Sequence, residues 1–193
     1  MSYTDEEILK LREEEKKKQF NTLETGIYLG GKILKFKKQI LMDSFSISLP
    51  EIMEVMPMEY ARVKYPSEFR PQILLTTPEL DVNLGFTLFS KEVEDNTIEV
   101  LAEQVMRVIK RVHPDYLIYP GKRLKEGKGY FFSFRSHALD SDLYNMSLLL
   151  GIQGRLLQGS FNCIYSQHTE WRKIVLMLWE TIQEWEEEEE CGL

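Results

Sequence analysis

Cysteine is scarce in this sequence, and the spacing that would give it a shared role is missing. The 193 residues include two cysteines, Cys163 and Cys191, which form no Cys-x-x-Cys pair. Two cysteines cannot build the disulfide framework of a small secreted domain. A reducing, cytoplasmic environment is therefore expected. Cys163 lies in an apolar segment with no cation nearby in sequence, which predicts a buried, unreactive thiol.

Long apolar runs are also missing. The first twenty residues are strongly charged, so the start of the chain is not expected to act as a secretion signal. The longest uncharged apolar run towards the other end spans residues 174–179. That run is far shorter than the roughly 20 residues of a membrane-spanning helix. We therefore expect no membrane partner.

The sequence has no surplus of positive charge. Its net charge is −7, and six negative charges lie at Glu184 and residues 186–190. The remainder of the chain is close to neutral, so a broad basic face is not expected. Nucleic acid is accordingly not expected as a partner.

What the sequence does contain is the composition of one folded domain. Hydrophobic residues make up 43% and charged residues 28% of the chain, which is ordinary for a globular protein. Residues 1–20 predict a helical N-terminal extension, because Thr4 and Glu7 have capping-box spacing and the apolar stripe that follows is thin. Residues 21–186 are expected to form a single α+β domain, and residues 187–193 an acidic tail.

The order of elements predicts an antiparallel sheet flanked by helices. Helices are expected at 58–64, at 98–112 with an Asn96–Glu99 capping box, and at 169–187. Gly30 and Gly31 separate two short alternating segments, which is typical of a hairpin. Strands mostly follow strands through short turns, which favours antiparallel pairing over a doubly wound parallel sheet. Strands are expected near 26–29, 32–36, 45–49, 72–76, 82–89, 116–119, 130–134, 143–152 and 155–165.

The segment from Gly121 to Gly129 imitates a phosphate-binding loop but lacks its spacing. Five residues separate Gly121 from Gly127 where the motif has four, and Gly129 occupies the Ser/Thr position. A solvated hairpin loop is the favoured interpretation. The alternative is a loop that attracts anions, because four cations are crowded there. These are Lys122, Arg123, Lys125 and Lys128.

Known catalytic and metal-binding patterns are not found. His113, His137 and His168 are far apart and have no zinc-site spacing. His137, Asp140, Ser141 and Asp142 occur together between two predicted strands, but no Gly-x-Ser-x-Gly elbow is present. We therefore predict no catalytic, cofactor-binding or metal-binding residues, and no cofactor.

The last predicted helix is unusually rich in large apolar residues. Trp171, Val175, Leu178 and Ile182 form a stripe that is expected to pack on the sheet. Trp185 extends this stripe towards the acidic end, where partial exposure is expected. The remaining apolar face is a candidate contact for a protein partner or for a second copy in a homodimer, since tryptophan and methionine are enriched at interfaces. The candidate contacts are Trp185, Trp179 and Met177.

Two segments also resemble a known group of proteins. These are FSISLP at 45–50 and KYPSEFRPQILLTT at 64–77. Together with two long closing strands and a final helix that starts with tryptophan, they resemble the Mog/PsbP-like group, nearest to its bacterial members without assigned roles. The resemblance covers about residues 40–185. It implies an α/β/α sandwich around an antiparallel sheet and a role as an adaptor or binding protein, with no shared catalytic residue to carry over.

The sequence therefore predicts a non-catalytic module that binds another protein. Three alternatives remain open. One is an enzyme whose residues, for example Arg70 or His137, meet only in the fold. Another is a carrier of a small ligand, and the third is a self-assembling structural subunit.

Overall fold

A computed structural model describes residues 5–125, 129–138 and 140–186. Its helices are α1 (Asp5–Gln19), α2 (Met58–Lys64), α3 (Ile98–Val112) and α4 (His168–Glu180). Its strands are β1 (Asn21–Thr22), β2 (Gly26–Leu29), β3 (Lys32–Leu34), β4 (Phe36–Leu41), β5 (Phe45–Pro50), β6 (Glu54–Val55), β7 (Ile73–Thr76), β8 (Val82–Glu92), β9 (Leu117–Arg123), β10 (Gly129–His137), β11 (Asp142–Ile152), β12 (Arg155–Ile164) and β13 (Gln183–Glu184). In this part of the chain no helix is both long and apolar enough to cross a membrane.

Tight turns join neighbouring strands at positions of positive φ. Gly30 and Gly31 have φ values of 56° and 84° and connect β2 to β3. Both central residues of such a hairpin turn need a left-handed backbone, which glycine adopts without steric cost. The predicted hairpin is therefore confirmed. Gln153 and Gly154 form the equivalent turn between β11 and β12, with φ values of 48° and 72°.

Seven strands form the main sheet, in the order β6-β7-β8-β12-β11-β10-β9. Every pairing in it is antiparallel. β12 occupies the centre, where Phe161 lies opposite Leu84 of β8 and Met146 of β11. The α+β class and the antiparallel sheet are confirmed.

The inner face of the main sheet carries the principal core. A small sheet of order β13-β5-β4 and helix α4 pack against this face. Phe45 of β5 meets Phe86 of β8 with ring centroids 5.5 Å apart, and both rings are fully buried. Trp171, Val175 and Leu178 of α4 are buried in the same cluster, as the stripe predicts.

Two helices cover only the two ends of the outer face. α3 packs through Ile98 and Ala102 on β10 and β11, and α2 packs through Ala61 beside Leu74 of β7. The sheet thus lies between two helix-bearing layers, which is the expected α/β/α sandwich. Between α2 and α3 the outer face of the central strands is polar, and it forms part of the site described below.

Helix α1 lies outside the core. Its apolar side chains Ile8, Leu9 and Leu11 are all exposed. This exposure fits an N-terminal extension, although the division of the chain into extension, domain and tail stays a prediction. Residues 187–193, the predicted acidic tail, lie outside the described residues.

The predicted end of the last helix is wrong. α4 stops at Glu180, where the Thr181 hydroxyl donates to the Leu178 carbonyl over 2.7 Å and accepts the Ser48 amide proton over 2.9 Å. The following residues then pair with β5, with Gln183 opposite Ser46. Hydrogen bonds to a strand edge therefore replace the helical bonds that this segment was expected to make.

The predicted cap of the second long helix is also wrong. α3 follows a 3₁₀ turn at Asp95–Thr97, and no side chain caps its first amides. The Thr97 hydroxyl instead donates to the Glu94 carbonyl over 2.8 Å.

Candidate functional site

An exposed apolar surface surrounds the short helix α2. Five large side chains contribute, and Val63 and Phe69 stand out because they are 79% and 96% exposed. Large apolar side chains that are exposed close together in the fold mark interaction sites on monomeric proteins. We name this group of exposed side chains the α2 surface. Its members are Val55, Met58, Tyr60, Val63 and Phe69.

The local sequence explains why α2 shows its apolar residues to solvent. Pro57 precedes the helix with a φ of −56°, and Pro66 follows soon after its end. Proline fits a helix start but disfavours helical backbone in the residue before it, so α2 is restricted to two turns. Ala61 is the buried residue of this helix. A small side chain brings α2 close to the sheet and leaves its longer side chains outside.

Two clefts flank α2. One has a volume of about 390 Å³ and is lined by Ile52, Val55 and Tyr60 among others. The other has a volume of about 410 Å³ and includes Met58, with Val55 contributing to both clefts. The α2 surface therefore offers concave walls as well as projecting side chains, which suits a partner that inserts apolar groups.

Exposed charges of both signs border the α2 surface. Glu59, Arg62, Lys64 and Glu68 are all exposed. Protein interfaces combine an apolar centre with a polar, solvent-accessible rim. The α2 surface has this composition.

A ladder of polar side chains crosses the outer face of the sheet beside α2. The Thr76 hydroxyl donates to the Asn83 amide oxygen over 2.7 Å, and the Asn83 amide nitrogen donates to the Asn162 oxygen over 2.8 Å. Asn162 then donates to the Tyr65 hydroxyl oxygen over 2.6 Å. Because cross-strand neighbours on one face are adjacent, residues from β7, β8 and β12 form a continuous chain. Asn145 of β11 lies directly opposite Asn162.

A cleft of about 470 Å³ opens above this ladder. Partial burial lowers the pKa of Lys64 at the rim of this cleft, and the negative charge of Asp81 partly offsets the change. Burial raises the pKa of Tyr65, and the hydrogen bond from Asn162 partly offsets that rise. Tyr65 therefore keeps its proton near neutral pH, and its hydroxyl is a hydrogen-bond donor there.

The His137 region forms a different kind of cluster. Asp142 accepts from Arg135 Nε over 2.7 Å and lies 2.6 Å from His137 Nδ1. Hydrogen bonds from Arg135 and then His137 lower the pKa of Asp142. A carboxylate held in this way stays ionised and links the ends of β10 and β11. Arg70 lies elsewhere, where it donates to the Tyr65 carbonyl over 3.5 Å.

Two tyrosines lie next to this cluster. The hydroxyls of Tyr119 and Tyr165 are 3.2 Å apart, and the Arg135 guanidinium lies 4.4 Å from the centre of the Tyr165 ring. The hydrogen bond to Tyr165 raises the pKa of Tyr119 to about 12. The Tyr119 phenol is therefore neutral at physiological pH and serves as a hydrogen-bonding group.

Two of the four cationic residues of the predicted anion loop have an acidic neighbour. Lys122 and Arg123 belong to β9, and Arg123 pairs with Glu99 over 2.7 Å. The Lys125 amide donates to Glu180 over 2.8 Å. Lys128 lies outside the described residues. Anion binding at this loop stays a prediction.

The three predicted partner contacts have different surroundings. Trp179 is 1% exposed, so its side chain is not available to a partner in this conformation. Met177 is half-buried and lines a cleft of about 300 Å³ with Phe20 of the segment after α1. Trp185 is half-buried beyond α4, where its amide donates to the Ser44 carbonyl over 2.9 Å. Partner contact by Trp185 or Met177 stays a prediction.

The α2 surface and the polar ladder were missed in the sequence. The segment Met58–Lys64 is only long enough for a short helix. Its periodicity does not show which of its apolar residues are exposed and which are buried. A usable signal for the ladder exists: Asn83, Asn145 and Asn162 each interrupt an apolar strand. Three amides on neighbouring strands indicate a polar strip once the strand order is known.

Within the described residues, no three His, Cys, Asp or Glu side chains lie close enough together to hold a metal ion.

Cys163 is predicted not to react with thiol reagents in the folded protein. The side chain is fully buried, and burial raises its pKa to about 12. The reactive thiolate is therefore almost absent up to about pH 9. In a Cys191→Ser variant, a disulfide reagent should modify Cys163 only when urea is added. Rapid labelling without urea would contradict this.

Comparison with solved structures identifies the fold. The solution structure of cyanobacterial PsbP (CyanoP) from Synechocystis has a TM-score of 0.57 and 12% identity, and the alignment covers 83% of this chain and 98% of CyanoP. The fold is Mog/PsbP-like. The sequence matches no protein-family model and no curated protein at a significant level.

Two other solved structures are more distant. The Ran-binding protein Mog1p of Saccharomyces cerevisiae has a TM-score of 0.48 and 8% identity over 78% of this chain and 95% of Mog1p. LpqN of Mycobacterium tuberculosis, which is involved in cell envelope biogenesis, has a TM-score of 0.45 and 9% identity over 86% of this chain and 99% of LpqN. At these identities the likeness concerns the fold alone.

Proposed function

We propose that this protein is a non-catalytic interaction module whose α2 surface binds another protein. The observation that carries the proposal is the exposure of Val63 and Phe69, at 79% and 96%. Leaving these two large apolar side chains in solvent forgoes the free energy that burial provides, roughly 1.5–3 kcal/mol for each side chain. A partner that covers them recovers this free energy. A cytoplasmic location in a bacterium belongs to the same proposal.

The partner is expected to present a short apolar helix or loop. Val55 lines the clefts on both sides of α2, so apolar groups spaced along one element can enter both. Charges of both signs surround these clefts, so the partner need not carry a strong net charge. A homodimer through the same surface is the second candidate, because the patch is available on every copy.

A photo-crosslinking residue in place of Phe69 is expected to capture this partner in the native cell. The same residue in place of Val108 serves as the matched control, because Val108 is a 57% exposed apolar residue on α3. Crosslinked products should appear with the position 69 probe and not with the position 108 probe. A crosslinked product from position 69 with twice the mass of this chain would show that the partner is a second copy of the protein.

A Val63→Ser/Phe69→Ser variant should lose the captured partner. Interface centres contribute about 2 kcal/mol or more per hot-spot residue, so a loss of about 30-fold or more in affinity is expected. The control is Val100→Ser/Val108→Ser on α3. Equal capture by both variants, or crosslinking from both positions alike, would reject the α2 surface as the binding site.

A further inference from the structure

The polar cleft beside α2 contains a fixed array of hydrogen-bonding groups. We name it the asparagine cleft, and it is lined by Lys64, Tyr65, Asp81, Asn83, Asn145 and Asn162. Asn83 is 4% exposed and is held on both sides, by Thr76 and by Asn162. Each bond in the ladder fixes the orientation of the next amide. The array is therefore ordered before any ligand arrives, which lowers the entropic cost of binding.

Several polar atoms at the cleft are left without partners among the described residues. The Tyr65 hydroxyl accepts from Asn162, and its own proton has no acceptor. Asn162 uses one of its two amide protons in that bond. The Asn145 nitrogen donates to Ser136 over 2.9 Å, while its amide oxygen accepts no hydrogen bond. Tyr65 and Asn162 thus each offer a neutral donor, and Asn145 offers a neutral acceptor.

The charges at the rim favour a ligand without net charge. One cation, Lys64, and two carboxylates, Glu79 and Asp81, line the cleft. The small negative excess disfavours phosphates and carboxylates. Asp81 is also occupied, because its oxygens accept from Thr77 over 2.8 Å and from Gln167 over 3.0 Å. It is therefore poorly placed to hold a cationic ligand.

Apolar walls complete the cleft. Leu80, Leu143 and Ile164 line it and are partly exposed. A ligand for this cleft must combine C–H surface with groups that both donate and accept hydrogen bonds. Hydroxyl groups on a carbon ring have these properties, and the volume of about 470 Å³ lies in the range of small-molecule sites.

We propose that the asparagine cleft binds a neutral polyhydroxylated ligand, a saccharide. Hydroxyl oxygens accept from Tyr65 and Asn162, and a hydroxyl proton is donated to Asn145. This proposal goes beyond the protein-binding role of the α2 surface and uses different side chains.

Side-chain amide signals in ¹H–¹⁵N NMR spectra test the proposal directly. The intact chain is titrated with glucose, mannose, galactose, N-acetylglucosamine and a β-1,4-linked trisaccharide, with glucuronate as the charged comparison and glycylglycinamide as the neutral peptide comparison. At least one neutral saccharide should shift the amide signals of Asn145 and Asn162. Glucuronate should bind more weakly than glucose.

Tyr65→Phe is the critical variant, because it removes a hydroxyl and keeps the ring. Saccharide affinity should fall about tenfold, the effect of one lost hydrogen bond to a partly buried partner. Tyr116→Phe is the matched control and should bind as the unmodified protein does. Asn145→Ala is a second variant, at a partly exposed position, and it should also reduce saccharide affinity. It tests the cleft even if Tyr65→Phe impairs folding.

Three results would overturn the proposal. One is the absence of amide shifts with every neutral saccharide, and another is unchanged affinity in both Tyr65→Phe and Asn145→Ala. The third is stronger shifts with glycylglycinamide than with any saccharide, which would assign the cleft to peptide. A Phe69→Ser variant should keep full saccharide binding, so failure of the protein-binding proposal can be distinguished from failure of this one.

Discussion

Replacing Trp179 with alanine is expected to lower the free energy of unfolding by about 3–5 kcal/mol. The side chain is 1% exposed, and its ring lies 6.3 Å from that of Phe131 of β10, between centroids. Removing it leaves a cavity between α4 and the sheet that the surrounding strands cannot fill. Typical domains are stable by about 5–15 kcal/mol, so the loss is a large fraction of the total. Urea unfolding monitored by circular dichroism measures it.

Two controls separate the cavity from other effects of this change. Trp179→Phe keeps an aromatic ring and removes the indole N–H, which has no partner among the described residues. An unpaired buried donor destabilises the unmodified protein, and Trp179→Phe removes it. This variant should therefore lose much less stability than the alanine variant. Trp185→Ala should cost about 1 kcal/mol or less, because that side chain is half-buried beyond α4. Equal losses for Trp179→Ala and Trp185→Ala would contradict this assignment of core and periphery.

Replacing Phe45 with alanine is expected to have a similarly large effect, about 3–5 kcal/mol. Phe45 is fully buried and joins the small sheet to the main sheet through Phe86. Its backbone also pairs with Glu184 of β13. The truncation therefore weakens both the contact between the sheets and the attachment of the C-terminal strand.

Hydrogen exchange shows where this loss occurs. Amides of β5 and β13 should exchange faster in Phe45→Ala than in the unmodified protein. The exchange rates of amides in β11 and β12 should change least, apart from the change that the lower free energy of global unfolding imposes on every amide. Ile40→Ala on β4 is the control, since Ile40 is 45% exposed in the same small sheet. A loss below 1 kcal/mol for Phe45→Ala, or one equal to that for Ile40→Ala, would show that the two sheets are not coupled through this residue.

Most of the strands could be predicted from the sequence, since alternation of apolar and polar residues is a local property. The β2–β3 turn at Gly30 and Gly31 and the long strands β11 and β12 are examples. The end of α4 could not be predicted in this way. Residues 181–187 have helix-forming composition, and what stops the helix is the Ser48 amide, 133 positions away in sequence from Thr181. Distant backbone partners of this kind leave no periodic signal.

The candidate site was harder to predict for a related reason. The α2 surface depends on which side of a two-turn helix faces solvent, and Ala61 decides this only once Leu74 is placed beneath it. The asparagine cleft depends on strand order, because Asn83 and Asn162 become neighbours only when β8 pairs with β12. Trp179, which the sequence offers as a candidate partner contact, lies in the core.

The central position of β12 also governs the order in which the chain can fold during synthesis. β8 ends at Glu92. The strand β12, which pairs with one edge of β8 in the main sheet, begins only at Arg155. Until the ribosome has released β12, the long strand β8 has one unpaired edge, and β10 and β11 have no connection to the N-terminal half of the sheet. Closing a loop of this length delays the long-range pairing. We therefore expect stalled nascent chains that end before β12 to associate with chaperones, and those that extend past α4 to be released.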